Sequence, residues 1–250
     1  MENVPVPVLP ADWQLQLARE AAASAASEQT ESAYISTKGG VMVYGGQALK
    51  DNKIAAVILD QVWERSYYES EYQAGVFVPP TCFAVGRDEK ALAPHDNAQD
   101  KQSANCATCP MAEWGSDPRP GSKAQACKLR RRLALLPADS LDTVESALSA
   151  ETVGLRLPPT STKGWSAYVS QVANVIKRPV WAVISEIKVS PHPKFQMQVG
   201  ATFGGIIDED VLAAVMAKRE EIGDKYLAPW EKVEPDEEVK PPPTKGKKKY

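Results

Sequence analysis

The stretch KIAAVILDQVWERSYYES, residues 53–70, constrains the fold more than any other part of the chain. Its centre, AAVIL, is too apolar for a strand exposed to solvent, so the stretch predicts a central strand of a sheet. Because successive side chains of a strand point to opposite faces, Trp63, Arg65 and Tyr67 are predicted to share one face of that sheet. The rest of the domain must then supply neighbouring strands on both sides.

Three other stretches predict such neighbours. Residues 33–49, AYISTKGGVMVYGGQAL, place two Gly-Gly pairs between short β-prone runs, which is typical of a hairpin. Residues 128–137, KLRRRLALLP, predict a strand that returns to the core, and residues 152–159, TVGLRLPP, predict a short strand.

The C-terminal half mixes helical and β patterns. Apolar residues in KGWSAYVSQVANVIKR, residues 163–178, fall on one face of a helix, and a last helix is predicted over residues 209–226. Between them, VWAVISEIKVS (180–190) and KFQMQVGATF (194–203) predict two more strands. The element order predicts an α+β fold: an antiparallel sheet or OB-like barrel with flanking helices and a zinc-bearing insertion.

The composition divides the chain into three parts. Residues 1–30 are predicted to form an N-terminal extension with a helix over 13–28, and residues 31–228 a single α+β domain. Residues 229–250 are acidic, then proline-rich, then rich in lysine, with almost no apolar content. We expect this tail to be disordered.

A cysteine pattern organises the insertion at residues 79–127, which carries little periodicity of either kind. The spacing is C-x23-C-x2-C-x17-C, and no other cysteine occurs in the chain. A C-x2-C turn places two thiolates where a tetrahedral Zn²⁺ can bridge them, and two further sulfurs complete the coordination. The predicted ligands are Cys82, Cys106, Cys109 and Cys127.

Such a centre has no open coordination position, so the sequence predicts structural rather than catalytic zinc. The energy of metal binding would order a loop that has no core of its own. Two alternatives stay open. Cys82 is also compatible with an inert core thiol, in which case His95 would be the fourth ligand. A redox pair is less favoured, because the C-x2-C does not follow a strand in a βαβ unit.

Basic and aromatic residues surround this pattern. Lys128, Arg130 and Arg132 would share one face of the strand at 128–137, and Lys123 lies close by in sequence. A concentrated positive patch of this kind binds phosphates. The aromatic candidates for stacking on unpaired bases are Trp63, Tyr67 and Trp114, and Arg65 adds a further positive charge. For each single aromatic, and for Arg131, a place in the core is the alternative reading.

The overall composition excludes several classes of function. The chain has 250 residues, 43% of them hydrophobic and 24% charged, with a net charge of −3, so any nucleic-acid surface must be local. No signal peptide and no membrane span are predicted, which favours a cytoplasmic protein. Phosphate-binding loops and hydrolase motifs are lacking, so we do not expect an enzyme.

The segments PPTCFAVG (79–86), LAPHDNAQDKQSANCATCPMAEWGS (92–116) and GSKAQACKLRRRLALLP (121–137) resemble a family of zinc-containing single-stranded DNA-binding proteins of tailed bacteriophages. The resemblance covers residues 54–137 and continues more weakly through 178–221. It implies that the four cysteines recur as a set, and it disfavours His95 as a ligand. It also implies an OB-type barrel. Phage single-strand binders commonly end in an acidic tail, whereas this chain ends in lysines.

From these patterns we expect a sequence-independent single-stranded DNA-binding protein, acting in phage replication or transcription in the host cytoplasm. An interaction protein that binds a host or phage polymerase, through the cysteine loop or the tail, is the alternative. A metal-dependent nuclease is the third class, and nothing in the sequence requires it.

Overall fold

The fold is described from a computed structural model, which covers residues 34–69, 78–194 and 196–223. The helix predicted over 13–28 and the tail predicted over 229–250 lie outside the described residues.

Strands dominate the described part of the chain. They are β1 (Tyr34–Ile35), β2 (Val43–Tyr44), β3 (Gln47–Ala48), β4 (Lys53–Tyr67), β5 (Cys82–Gly86), β6 (Lys128–Pro137), β7 (Val153–Leu157), β8 (Val183–His192) and β9 (Gln196–Ile206). The helices are α1 (Val144–Ser149), α2 (Thr162–Gln171), which a wider π-helical turn continues over Val172–Ile176, and α3 (Glu209–Ile222). Short 3-10 turns connect several of these elements.

The main sheet has the strand order β1-β7-β6-β4-β8-β9, and β5 also pairs with β4. The pairing of β1 with β7 is parallel and the other pairings are antiparallel, so the sheet is mixed. It curls into a half-barrel, with few helices around it. The predicted α+β class is confirmed at this level.

The predicted hairpin is formed by β2 and β3, which make a small separate sheet. Gly45 and Gly46 connect them with φ values of 54° and 76°. Two successive residues with positive φ are what a tight hairpin turn of matching twist requires, and glycine adopts them without steric cost. The second Gly-Gly pair of the sequence signal therefore makes the turn.

The strand β4 is central, as its apolar middle predicted. It pairs with β6 along most of its length, with β8 over Lys53–Ala56, and with β5 over Trp63–Tyr67. A register shift between Ile58 and Asp60 marks a bulge, which bends the strand. The carbonyl oxygen of Leu59 at this bulge accepts a hydrogen bond from Arg219 Nε of α3, at 2.8 Å. The bulge thus separates a half that faces β8 from a half that faces β5.

Alternating side chains give the sheet two apolar faces. Ile58, Leu133 and Leu135 lie on one face with Trp165 and Tyr168 of α2. The intervening residues, such as Ala134 and Leu136, lie on the other face with α1 and α3. Helices therefore cover both faces of the sheet on the β8 side of the β4 bulge. Burial of these apolar side chains provides most of the stabilisation.

The second half of β4 serves a different purpose. Beyond the bulge, β4 extends to Tyr67 between β5 and β6, and a third, smaller apolar cluster forms there. Its members are Ala84, Leu92 and Cys106, with Trp63 and Leu129 packed against them. This cluster attaches the cysteine loop, residues 79–127, to the sheet.

Candidate metal centre and nucleic-acid interface

The two flanking strands of β4 carry the outer cysteines of the pattern. Cys82 begins β5 and pairs with Tyr67, while Cys127 directly precedes β6, whose first residue, Lys128, pairs with Ser66. The end of β4 therefore has a cysteine on each side. The long strand predicted from residues 53–70 is what fixes their positions.

The inner pair is held by backbone hydrogen bonds. Cys106 opens a 3-10 turn in which the side chain of Asn105 accepts a bond from the Ala107 amide, at 2.7 Å. The Cys106 amide donates to Leu92 O at 3.0 Å, and the Cys127 amide donates to Met111 O at 2.7 Å. These bonds connect the C-x2-C turn both to the start of the loop and to its end.

All four cysteines line a single small cavity. Its volume is about 10 Å³, close to that of one water-sized sphere, so it suits a single ion rather than an organic molecule. Each cysteine is at least 92% buried, and none forms a disulfide. The residues that the sequence predicted as one ligand set are thus brought to one place.

The side chains as they stand do not form a finished metal site. Among the described residues, no group of three or more His, Cys, Asp or Glu side chains is arranged to hold a metal ion. Each cysteine sulfur can move by rotation about a single bond between staggered positions. The donor set fits tetrahedral Zn²⁺ in type and number.

Burial disfavours the thiolate forms of these cysteines. It raises the pKa of Cys106 to about 11 and that of Cys127 to about 12, and the nearby guanidinium of Arg65 only partly opposes the effect. Burial also raises the pKa of Cys82, against a hydrogen bond from the Gln102 backbone. A bound cation would displace these protons, because thiolates are the metal ligands.

His95 does not join the cysteines. Its ring stacks on Phe83, with centroids 5.0 Å apart, and its Nδ1 accepts a hydrogen bond from the Asn97 amide at 3.1 Å. It is not part of the cavity lining. The alternative in which His95 replaces Cys82 therefore has no support in the geometry.

Arg65 was predicted to contact nucleic acid, but the structure places it in the wall of the cysteine cavity. It is 9% exposed. Its Nε and Nη1 atoms have no hydrogen-bond partner within the described residues. A buried guanidinium in this position cannot reach a phosphate at the surface.

The basic residues of β6 that were predicted to bind phosphates differ in their burial and in their partners. Arg132 is buried, and its Nη1 lies 3.4 Å from the carboxylate of Glu64, which also pairs with Arg156 at 3.2 Å. Arg130 is half-buried. Lys128 pairs with Asp117 at 3.0 Å. The predicted row of Lys128, Arg130 and Arg132 does share a face, but Arg132 is held inside the protein by a carboxylate.

The predicted stacking residues also differ in their surroundings. Arg131 covers the ring of Trp63, with Cζ 3.7 Å from the ring centroid, so one face of that indole is occupied. Tyr67 lines the cysteine cavity. Trp114 is 80% exposed, and of the three it is the one whose ring is presented to solvent.

Trp114 lies at the start of a tight excursion of the cysteine loop. The amides of Gly115 and Asp117 both donate to Ala124 O at 3.1 Å. This brings the exposed Lys123 next to the turn that carries Trp114. The excursion thus combines an exposed aromatic ring with a lysine.

Asp117 stabilises the base of this excursion. Its carboxylate is buried and contacts Arg119 at 2.5 Å and Lys128 at 3.0 Å. Hydrogen bonds from Arg119 and then Lys128 hold the pKa of Asp117 far below its usual range. Sequence reasoning identified neither Asp117 nor Glu64, because no local pattern distinguishes a buried carboxylate from an exposed one.

Comparison with protein-family models, with curated proteins and with solved structures finds no match for this chain. The resemblance to phage proteins stays a prediction. In the part of the chain that the structure describes, no helix is long and apolar enough to cross a membrane.

Proposed function

We propose that this protein is a non-enzymatic, sequence-independent single-stranded DNA-binding protein with a structural zinc centre. The observation that carries the proposal is the exposure of Trp114, 80% of whose surface is open to solvent. A tryptophan contributes little to folding when it is exposed, whereas its ring can stack on an unpaired base of any sequence.

Charge supports the same reading. Lys123 is exposed beside the Trp114 turn, and Arg119 on the same excursion is 66% exposed although it contacts Asp117. A phosphate backbone running past the stacked base would meet these cations. Arg65 and Arg132 are buried, so the proposed interface does not include them. It consists of Trp114, Lys123 and Arg119, together with the partly buried Lys128 and Arg130 at the start of β6.

The proposed zinc would be held by Cys82, Cys106, Cys109 and Cys127, which line one cavity. Its contribution is structural: four thiolate bonds fix the loop and leave no position for a reacting water. The loop residues then keep Trp114 and Lys123 at fixed positions relative to the sheet. The OB-like barrel and the phage replication or transcription role belong to this proposal as well.

The test is a titration of fluorescently labelled single-stranded oligonucleotides with the full chain. Trp114→Ala should weaken binding by about 1–3 kcal/mol, which is a factor of roughly 5 to 150. Lys123→Gln should reduce the slope of log affinity against log salt by about 0.7, the value for one phosphate contact on a single strand. Affinity should depend little on base sequence.

Matched controls are available on distant surfaces. Phe203 on β9 is an exposed aromatic residue, and Lys163 on α2 is an exposed lysine. Phe203→Ala and Lys163→Gln should leave DNA binding unchanged. Absence of oligonucleotide binding at low salt would refute the proposal.

The exposed ring of Trp114 also fits a protein partner, since tryptophan is enriched among residues that dominate protein interfaces. If purified polymerase binds the chain after nuclease treatment, and this binding is lost in Trp114→Ala while DNA binding is absent, the interaction protein is the correct class.

A further inference from the structure

We infer that Arg65 is the fixed counter-charge of the four-cysteine centre and a positioning residue for its metal. The inference rests on the metal part of the proposed function and is independent of nucleic-acid binding. It assigns Arg65 a role different from the phosphate contact that its sequence context suggested.

The burial of Arg65 requires an explanation. A guanidinium is always charged at physiological pH, and a buried charge is costly unless it is paired. Arg65 is 9% exposed, and its buried Nε and Nη1 atoms have no hydrogen-bond partner among the described residues. Within the described residues, two donor nitrogens of Arg65 are therefore unused in the interior.

The surroundings of Arg65 indicate what those donors would bind. It lines the same cavity as all four cysteines. As neutral thiols, cysteines are poor acceptors for a guanidinium. As thiolates they carry full negative charge, and charge-assisted hydrogen bonds are the stronger kind.

A bound metal ion would make this arrangement consistent. Four thiolates around one Zn²⁺ leave a net charge of about −2 inside the protein, by simple addition of the ligand and metal charges. The Arg65 guanidinium would offset part of that charge and donate to sulfurs at the edge of the centre. Outer-shell partners of this kind orient ligands and raise metal affinity.

The position of Arg65 on β4 adds a mechanical consequence. Arg65 pairs with Ala84 of β5 on one side and with Leu129 of β6 on the other. These two strands carry Cys82 at the start of β5 and Cys127 immediately before β6. A bond from Arg65 to the sulfurs would therefore join the centre directly to the middle strand of the sheet.

The experiment measures zinc affinity of the full chain by competition with a chromogenic chelator. Arg65→Met keeps an unbranched apolar stem and removes the guanidinium with its charge, and we expect affinity to fall about 10- to 100-fold. Arg65→Lys retains the charge and should recover part of the loss. Replacement of zinc by Co²⁺ gives a second readout, because the sulfur-to-cobalt charge-transfer band should shift in Arg65→Met.

Arg131→Met is the matched control. Arg131 lies on the neighbouring strand β6 and is also partly buried, but it stacks on Trp63 and does not line the cavity. Its loss should leave zinc affinity within about threefold of wild type, in contrast to the outer-shell effect expected at Arg65. Circular dichroism of each variant confirms that the fold is retained.

Three results would overturn the inference: a wild-type chain that binds no zinc, an Arg65→Met variant with unchanged affinity and cobalt spectrum, or equal losses in Arg65→Met and Arg131→Met. The oligonucleotide titration is scored separately. Zinc binding that depends on Arg65 in a chain that ignores DNA would uphold the inference and refute the proposed function. If the chain binds DNA but Arg65→Met leaves zinc affinity unchanged, the proposed function is upheld and the inference is refuted.

Discussion

At the scale of single residues, buried charges carry much of the specificity of this protein. Glu64 is 1% exposed and contacts two arginines, one of which, Arg132, is equally buried. Such a group does not stabilise a protein more than a well-packed apolar residue would, but removing one partner leaves an uncompensated charge in the interior. Glu64 therefore fixes how β4, β6 and β7 stand relative to one another.

Glu64→Ala should destabilise the fold by about 3–5 kcal/mol, because the buried Arg132 would lose the carboxylate that it contacts. Chemical denaturation with urea measures the change in the free energy of unfolding. Glu186→Ala is the matched control: Glu186 contacts Lys53 at 2.8 Å, but both side chains are 40% exposed. We expect its loss to cost less than about 1 kcal/mol. If Glu64→Ala and Glu186→Ala lower the free energy of unfolding by similar small amounts, Glu64 does not hold the buried arginine in the way described.

Asp117→Asn should lower the melting temperature of the protein at neutral pH, since Asp117 joins Arg119 and Lys128 across the base of the Trp114 excursion. The folded-state pKa of Asp117 is depressed. Its stabilisation is therefore complete above the unfolded pKa of about 3.9 and declines as pH falls below that value. The difference in melting temperature between wild type and variant should shrink accordingly.

Asp96→Asn provides the comparison for this pH dependence. Asp96 contacts Lys101 at 2.7 Å, but its side chain is 96% exposed. Solvent screens such a pair, so the variant should melt close to wild type at every pH. If the difference in melting temperature between wild type and Asp117→Asn instead grows as the pH falls, the stabilising role of the Asp117 carboxylate is refuted.

At the scale of elements, the edge of the sheet depends on one close approach. The short strand β1 pairs with β7 through Tyr34, which lies opposite Gly154. A Cβ atom on Gly154 would stand 2.3 Å from the Tyr34 ring. The ring in turn lies under Arg156, with Cζ 4.6 Å from its centroid. The absence of a side chain at Gly154 is thus what lets β1 join the sheet.

Gly154→Ala should destabilise the protein by about 1–3 kcal/mol, the usual cost of overpacking, because the Tyr34 ring must move. Gly200→Ala on β9 is the control, since a Cβ there meets nothing within 4 Å. Alanine lowers the entropy of the unfolded chain, so the control variant should be neutral or slightly more stable. Urea denaturation of both variants measures the difference, and equal stability would show that β1 contributes little.

At the scale of the whole molecule, the sheet and the cysteine loop have separate sources of stability. The two larger apolar clusters contain no cysteine, whereas the smallest one includes Cys106. Helices α1, α2 and α3 pack on the larger clusters. The loop beyond β5, residues 87–127, consists of 3-10 turns and connecting segments instead.

If the proposed zinc is bound, its removal by a chelator should loosen residues 87–127 while the sheet persists, because the sheet retains its own core. Hydrogen exchange read by mass spectrometry should show faster exchange in that range and unchanged protection in β4, β6 and β8. The same chelator preloaded with zinc serves as the control. Loss of the sheet together with the loop would contradict this separation.

Much of the architecture could be predicted from local patterns. The apolar run at 53–70 gave a central strand, KLRRRLALLP gave β6, and the last helix was placed within a few residues of its end. The spacing of the cysteines predicted one cluster, and they do line one cavity. These features depend on periodicity and chain connectivity, which a sequence states directly.

Whether each charged residue is buried or exposed depended on the tertiary structure. Alternation assigns Arg65 and Arg132 to faces of the sheet, but it does not reveal what covers each face. Arg65 faces the cysteine cavity and Arg132 a buried glutamate, while Trp114 is left in solvent. The sequence by itself determined the longer strands, the two longer helices of the described residues and the cysteine set, whereas the short helix α1 was not predicted. Only the packing of layers decided which cations are buried, because burial depends on contacts between residues far apart in the chain.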